Sequence, residues 1–298
     1  SFTGVAREVT VDTTKKTLVV HDGSNAGGTP LMKEAGHSGD VIFNSITVGK
    51  GANSVTGNTV LGEGALDAAV TGAQNVAIGQ NALTENTSGA RGVAIGAFAL
   101  DANTTGVENV GIGQSALTNN QTGHMNTGVG YLALQKNTAN ANTAVGKSAL
   151  QENTSGVSNA AFGTQALDAN TTGGYNVAVG QGSLTASTTA NYNAACGAYA
   201  LEDNTTGGGN TAVGYHSLGN NTTAGLNTAV GKEALKLNTT GTLNTAVGAH
   251  ALDSSTTADQ NTAVGAHALQ SNITGTQNTA LGINALYSNI GDYNTAVG

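Results

Sequence analysis

Three histidines share one register in the second half of the chain. His216 lies 34 residues before His250, His267 follows after a further 17, and Glu233 falls midway between the first two. Imidazole and carboxylate groups are ligands of transition metals. Held in one column, these residues could form a metal site or a polar receptor-binding patch. The alternative is a solvent-exposed column that accepts any polar side chain.

A 17-residue unit sets this register. It reads Asn-Thr-Ala-Val-Gly-x-x-Ala-Leu-x-x-Asn-Thr-Thr-Gly-x-x, with Gly at position 5 and Leu at position 9 in all 14 complete units. The histidines and Glu233 occupy position 7, where other units hold residues such as Gly64, Ser115, Gln165 and Asn284, which favours the solvent-exposed column. A period this short is typical of a solenoid, in which each unit is one coil stacked on its neighbours. The units begin at Asn58, Asn75, Gly92, Asn109, Asn126, Asn142, Asn159, Asn176, Asn193, Asn210, Asn227, Asn244, Asn261 and Asn278, and a truncated one begins at Asn294.

The apolar positions predict an all-β fold, a parallel β-roll or β-solenoid of 17-residue coils. Positions 2 to 4 should form one short strand, and a second strand should carry Ala at position 8 and Leu at position 9 on opposite faces. Turns follow at Asn-Thr-Thr-Gly, and stacked asparagines should form amide ladders. We expect positions 4 and 9 to be buried in every coil. The predicted core columns are Leu83, Leu100, Leu117, Leu134, Leu150, Leu167, Leu201, Leu235, Leu252 and Leu269, together with Val145, Val179, Val213, Val230, Val247 and Val264.

Stacking fifteen coils about 4.8 Å apart gives a rod of roughly 70 Å. A two-stranded coil has a thin interior, so one apolar column should face outward, and an apolar stripe along a rod marks an interface. A parallel homotrimer about the rod axis would bury that stripe. Cys196 stands at position 4 and is expected to be a small buried hydrophobic residue.

Composition and motifs exclude several classes of function. The net charge of -8 is dispersed without a basic patch, which argues against nucleic-acid binding. No stretch of about 18 apolar residues predicts a membrane span. The sequence lacks phosphate-loop, zinc-protease and serine-hydrolase motifs, so we expect neither an enzyme nor a cofactor. Aspartates are too irregular for a calcium-binding repeat. A solenoid polysaccharide lyase or hydrolase would need an acid/base cluster, which the sequence does not show. An ice-binding solenoid would need flat Thr-x-Thr arrays, whereas this strand offers one Thr per coil and several units replace it with Val or Ala.

The first 40 residues differ from the repeats. Residues 9–32 alternate like strands around a polar turn at 12–16. The segment resembles a module near the N-terminus of bacteriophage tail-fibre and tropism-determinant proteins, on His21-Asp22-Gly23 and on Gly27-Gly-Thr-Pro30. That resemblance implies attachment to other virion tail proteins. We therefore predict an N-terminal β module over residues 1–40, with residues 33–40 as connector, and a repeat shaft over residues 41–298.

Strands such as Asn75-Val-Ala-Ile-Gly79 resemble the head repeats of trimeric autotransporter adhesins. That resemblance implies a trimeric left-handed parallel β-roll, whose shorter repeat matches the Asn44-to-Asn58 spacing of 14. The leading hypothesis is a trimeric tail-fibre shaft of the virion tail, linking the virion to a host-surface receptor bound by a C-terminal region outside this sequence. A bacterial cell-surface adhesin of the autotransporter class is the alternative, and it would carry a secretion signal upstream and a membrane anchor downstream.

Overall fold

The computed structural model describes residues 8–12, 17–21, 29–30 and 40–298. In these residues it contains one short 3-10 helix, Ala52–Ser54, and otherwise strands and turns. No helix in the described part of the chain could span a bilayer. The strands are β1 (Glu8–Asp12), β2 (Thr17–His21), β3 (Thr29–Pro30), β4 (Val41–Phe43), β5 (Ile46–Gly49), β6 (Thr59–Gly62), β7 (Val76–Ile78), β8 (Val93–Ile95), β9 (Val110–Ile112), β10 (Thr127–Val129), β11 (Thr143–Val145), β12 (Ala160–Phe162), β13 (Val177–Val179), β14 (Ala194–Cys196), β15 (Thr211–Val213), β16 (Thr228–Val230), β17 (Thr245–Val247), β18 (Thr262–Val264), β19 (Thr279–Leu281) and β20 (Thr295–Val297).

The N-terminal strands form a small antiparallel sheet. β1 pairs with β2, with Glu8 opposite His21, and β3 pairs with the other edge of β2. These strands agree with the predicted alternation. Of the predicted connector, residues 33–39 lie outside the described residues, and the domain boundary at residue 40 stays a prediction.

An antiparallel hairpin precedes the first coil. β4 and β5 are joined through Asn44 and Ser45, both with positive φ, and β5 pairs antiparallel with β6. The Asp40 carboxylate accepts hydrogen bonds from the backbone N–H groups of Lys50 and Gly51, at 2.6 and 2.7 Å. The hairpin thus covers the backbone edge of β6 that no coil covers. The 14-residue spacing from Asn44 to Asn58 is therefore not a repeat of the coil, because Asn44 lies in a hairpin turn.

From β6 to β20 the chain is a parallel β-solenoid with one three- or four-residue strand per coil. Each strand pairs in register with the equivalent strand of the next coil, as Ala77 does with Ala94 and Ala212 with Ala229. The ladder continues outside the strands. The N–H of Leu83 donates to the carbonyl of Ala99 in the next coil, and the N–H of Phe98 donates to that of Gln80 in the preceding coil. The predicted all-β solenoid with 17-residue spacing is confirmed.

The predicted second strand is absent from the described coils, and turns take its place at positions 6 to 11. Residues at positions 7, 9 and 17 have left-handed backbone angles, for example Asn81 (φ 54°), Leu83 (φ 55°) and Arg91 (φ 57°). An extended chain would send positions 8 and 9 to opposite faces. The left-handed residues reverse that alternation, so both Ala82 and Leu83 are buried.

The core of each coil is built from positions 3, 8 and 9. Position 3 faces inward with position 9: a Cβ at Gly111 would lie 3.2 Å from Cγ of Leu100. All ten leucines predicted as core are buried. The expectation that position 4 is buried is wrong for the single chain, because strand alternation turns it outward when position 3 faces in. Four of the named valines are exposed and two are partly exposed: Val145, Val179, Val213 and Val247, then Val230 and Val264.

Two columns of buried asparagine amides complete the interior. At position 1, the Oδ1 of Asn159 accepts the backbone N–H of Asn176 at 3.0 Å, and this pattern recurs along the rod. At position 12, the Nδ2 of Asn170 donates to Oδ1 of Asn153 at 2.7 Å. Both columns also donate to the carbonyl at position 15, as Asn159 and Asn170 do to Gly173. The predicted amide ladders are present, and they satisfy polar groups that water does not reach.

Candidate functional site

Positions 2 and 4 of every coil form one outward surface, which we call the strand face. Its position 4 residues are all apolar or Cys, and neither position carries a charged residue in any of the units from Asn58 to the end. Exposure at position 4 reaches 40% at Val213 and 48% at Leu281. Cys196 belongs to this face and is exposed, so its predicted burial is wrong for the single chain. A continuous apolar surface of this extent indicates an interface.

Position 2 of the strand face changes character along the rod. It is Thr in the last six units, from Thr211 to Thr295, whereas earlier units often place Val or Ala there, as at Val76, Val177 and Ala194. An unbroken Thr column therefore runs along this face only towards the C-terminal end. It supplies one Thr per coil, whereas the flat Thr-x-Thr arrays typical of an ice-binding solenoid would supply two.

The structure separates the three histidines into two environments. The rings of His250 and His267 stack in adjacent coils, with centroids 5.3 Å apart and planes inclined by 4°. His216 stacks instead on Tyr199, and its Nδ1 lies 3.5 Å from Oε2 of Glu202. The predicted column exists, but its members do not form one three-histidine site.

A cluster of two carboxylates and one imidazole surrounds His250, and we call it the acid–histidine cluster. The Nδ1 of His250 lies 3.5 Å from Oε2 of Glu233 and 3.3 Å from Oδ2 of Asp253. The side chains are partly buried, with exposures of 24%, 17% and 17% in that order. One donor atom from each residue lies within 4.8 Å of the others, which is compatible with a metal ion.

Two lysines also approach Glu233. Nζ of Lys236 lies 3.5 Å from Oε2 and Nζ of Lys232 lies 3.6 Å from Oε1. Desolvation acts to raise the pKa of Glu233, but the charges of Lys236, Lys232 and His250 together hold that pKa below its ordinary value. Glu233 is therefore ionised at neutral pH and able to bind a cation.

Asp253 is the member of this cluster that the sequence pattern did not single out. It stands at position 10, three residues after His250, where three other units also carry Asp (Asp67, Asp101 and Asp168) but none of them has a histidine at position 7. The signal that could have identified Asp253 is its spacing of three residues from a histidine at position 7. Spacing of three suffices because the left-handed residues at positions 7 and 9 fold this segment tightly.

The comparisons with known proteins concern the N-terminal segment. Residues 1–25 match the family described as the major tropism determinant N-terminal domain. The tail fiber receptor-binding protein of Bordetella phage BPP-1 is 67% identical over 33 residues, which are 11% of this chain and 9% of that relative. No solved structure matches the chain significantly. The predicted similarity to phage tail-fibre proteins is confirmed, and over this short segment it supports a role in a phage tail fibre.

Proposed function

We propose that the chain is a non-enzymatic shaft of a phage tail fibre. Three parallel copies associate with their strand faces around a common axis. The N-terminal β module binds other virion tail proteins, and the coils hold a receptor-binding region at a distance from the virion. The observation that carries the proposal is the uncharged apolar strand face, which every coil presents, behind a tail-fibre-like N-terminal segment.

The shape of the strand face favours a second and third copy of this chain as its occupant. The face repeats at each coil over a rod of roughly 70 Å, so a partner must be equally long and must match the same spacing. Another copy in parallel orientation meets both conditions and brings all N-terminal modules to one end. Closed cyclic symmetry then buries the strand face of every copy, whereas an open stack would leave an exposed face at its end.

The remaining surface favours a spacer over an active site. The coils are nearly interchangeable, because positions 1, 3, 5, 8, 9 and 12 recur with few changes. A hydrolase would need two carboxylates on either side of an open cleft. Here Glu233 and Asp253 both contact His250, which fills the space between them. We place receptor recognition outside the coils.

Cys196 offers a direct test, since it lies on the strand face near the middle of the rod. In a parallel trimer the three Cys196 thiols meet at one level of the axis. A short trifunctional maleimide should therefore link three chains, and light scattering should give the mass of three chains at micromolar concentration. The matched control carries Cys196→Val and Thr257→Cys, which moves the thiol to an exposed turn. A stable monomer, or equal cross-linking of the control, would contradict the trimer.

The unbroken Thr column of the last six coils favours ice binding as a second candidate. The two functions use the same surface and exclude each other, because a face buried at a trimer axis cannot contact ice. We favour the trimer because the apolar column at position 4 runs along every coil, whereas the Thr column does not. Thermal hysteresis in the purified chain, lost on Thr245→Leu with Thr262→Leu, would favour ice binding. The adhesin alternative lacks the tail-fibre-like N-terminal segment that this chain has.

A further inference from the structure

The acid–histidine cluster joins two neighbouring coils. Glu233 is at position 7 of the coil that begins at Asn227, while His250 and Asp253 are at positions 7 and 10 of the next coil. Glu233 and His250 both have φ of 57°, so equivalent backbone geometry directs their side chains to the same side of the rod. A ligand bound by all three residues would therefore bridge the interface between these coils.

The distances within the cluster match the edges of a tetrahedral zinc site. Zinc binds imidazole nitrogen and carboxylate oxygen at about 2.0–2.1 Å, which places two ligand atoms of a tetrahedron about 3.4 Å apart. The two contacts of the His250 Nδ1 are 3.3 and 3.5 Å. The third edge, between the two carboxylate oxygens, is no longer than 4.8 Å and needs only a small side-chain rotation to close.

We propose that Glu233, His250 and Asp253 bind one Zn²⁺ ion per chain, with water in the fourth position. Imidazole nitrogen and carboxylate oxygen are both zinc ligands, and three protein ligands with water in the fourth position are typical of an open zinc site. The ion would also neutralise two like charges that the fold brings close together. Because it connects adjacent coils, it acts as a staple on the shaft and stabilises the folded state by binding it selectively.

Among the described coils, the other two histidines of the column lack the set of ligands that His250 has. His216 has a single carboxylate beside it, from Glu202, and the residue three positions later is Gly219. At His267 the equivalent residue is Gln270, whose Oε1 lies 2.8 Å from the imidazole Nδ1. Neither histidine has a second carboxylate. The backbone is the same in all three coils, so the ligands at positions 7 and 10 decide where the ion binds.

Lys236 is a built-in competitor for Glu233. Its ammonium group lies 3.5 Å from the same Oε2 atom that faces His250. Zinc must displace that contact, so removal of the lysine charge should strengthen binding. If these residues formed only a surface ion-pair network, Lys236→Ala would remove one of its contacts and would not increase the affinity for zinc.

The test is zinc titration of the full chain after treatment with a chelator. We expect one Zn²⁺ per chain by calorimetry and a higher melting temperature with the metal. His250→Ala, Asp253→Asn and Glu233→Gln should each weaken binding by about tenfold or more, the effect that even outer-shell partners of zinc ligands can have. Lys236→Ala should tighten it. His216→Ala is the matched control and should bind zinc as the unaltered chain does.

Three outcomes would overturn the proposal. They are no zinc uptake by the unaltered chain, equal affinity in Asp253→Asn, or equal loss in His216→Ala. Circular dichroism of each variant identifies any that fails to fold. Because Glu233→Gln and Asp253→Asn keep the side-chain shape on the outer surface, they remain informative if His250→Ala does not fold.

Discussion

At the scale of single residues, the amide column at position 12 shows where the repeat is imperfect. Ser187 and Ser255 replace Asn in this column and are buried. Among the described residues, both serine Oγ atoms and the Oδ1 atoms of Asn170 and Asn238, one coil before each serine, have no hydrogen-bond partner. Serine is too short to reach the next amide. The ladder is therefore interrupted at these two coils, and again after Asn272, whose Oδ1 also has no hydrogen-bond partner.

Ser187→Asn should restore the ladder and stabilise the chain. The new amide can donate to Oδ1 of Asn170 as Asn170 donates to Asn153. We expect the free energy of unfolding to rise by about 1 kcal/mol, the net value of a typical hydrogen bond. Denaturant titration measures this, with Ser187→Ala as control because it removes the unpaired hydroxyl without restoring the ladder. A lower midpoint for Ser187→Asn than for Ser187→Ala would refute the explanation.

Asp168, outside this column, also has an unsatisfied buried atom, its Oδ1. Desolvation, with help from the charge of Glu152, raises the pKa of this carboxyl above its ordinary value of 3.8, against a hydrogen bond from Gln165. The folded state therefore binds the proton more tightly than the unfolded state does. The contribution of Asp168 to the stability of the fold is fully present below pH 3.8, and it is lost as the pH rises through the raised folded-state pKa.

Asp168→Asn should remove this pH-dependent loss. We expect the variant to melt at a higher temperature than the unaltered chain at neutral pH, with the difference shrinking as the pH falls below 3.8. Paired melting curves across this range measure it. A difference in melting temperature that stays constant with pH would show that packing, and not ionisation, is responsible.

At the scale of the element, each coil depends on backbone angles that most residues avoid. Leu at position 9 has φ near 50–55°, as in Leu201 and Leu235. Such a conformation costs roughly 1–2 kcal/mol per residue. Full burial of a leucine side chain contributes about 1.5–3 kcal/mol. The burial of this column thus offsets the strain that positions it.

At position 5 no side chain could offset such strain, because the space beside the glycine is filled by the next coil. Gly180 has φ 131°, and a Cβ there would lie 2.5 Å from the carbonyl oxygen of Gly197 in the next coil. Gly180→Ala should lower the stability by about 2–4 kcal/mol, from backbone strain and overpacking. Gly128→Ala at position 3 is the matched control, since Ala144 and Ala161 occupy that position in the next two coils and a Cβ at Gly128 would come no closer than 3.2 Å to its neighbours. Chemical denaturation should rank Gly128→Ala well above Gly180→Ala; equal losses would contradict the argument.

The sequence was sufficient to predict the coil length, the parallel ladder, the leucine column and the amide columns. It misplaced position 4 because position 3 faces the core, and strand alternation then turns position 4 outward. It misplaced the second strand because the left-handed angles at positions 7 and 9 fall on ordinary residues such as Phe98 and Leu100, which do not signal them. Asp253 was missed because position 10 varies from coil to coil, and its partner His250 was compared only with other residues at position 7.

At the scale of the whole molecule, the number of coils sets the length. Residues 142–175 are two complete units that include neither Cys196 nor the acid–histidine cluster. Their deletion keeps the register and should shorten the rod by two coil rises, roughly 10 Å. Electron microscopy of the purified trimer measures the change. Deletion of residues 142–166 is the control, since it joins Ala141, the last residue of one coil, directly to Leu167 at position 9 of another and omits the strand between them, which should prevent regular stacking.

Particles carrying the shorter shaft should still adsorb to host cells if the coils act only as a spacer. Loss of adsorption in a chain that still forms trimers would place recognition on the coils themselves. Such a result would refute the spacer role without affecting the zinc site, which the deletion leaves in place.

The hydrogen bonds between coils lie along the rod, so a pulling force on the two ends of the fibre acts on them directly. Within one interface the bonds share the load in parallel, whereas successive interfaces bear it in series. A fibre of this kind is as strong as its weakest interface, however many coils it has. The interfaces beside Ser187 and Ser255 lack an amide contact that most others make. We expect a stretched fibre to part there first, while a metal ion at Glu233, His250 and Asp253 would reinforce the coils between which it binds.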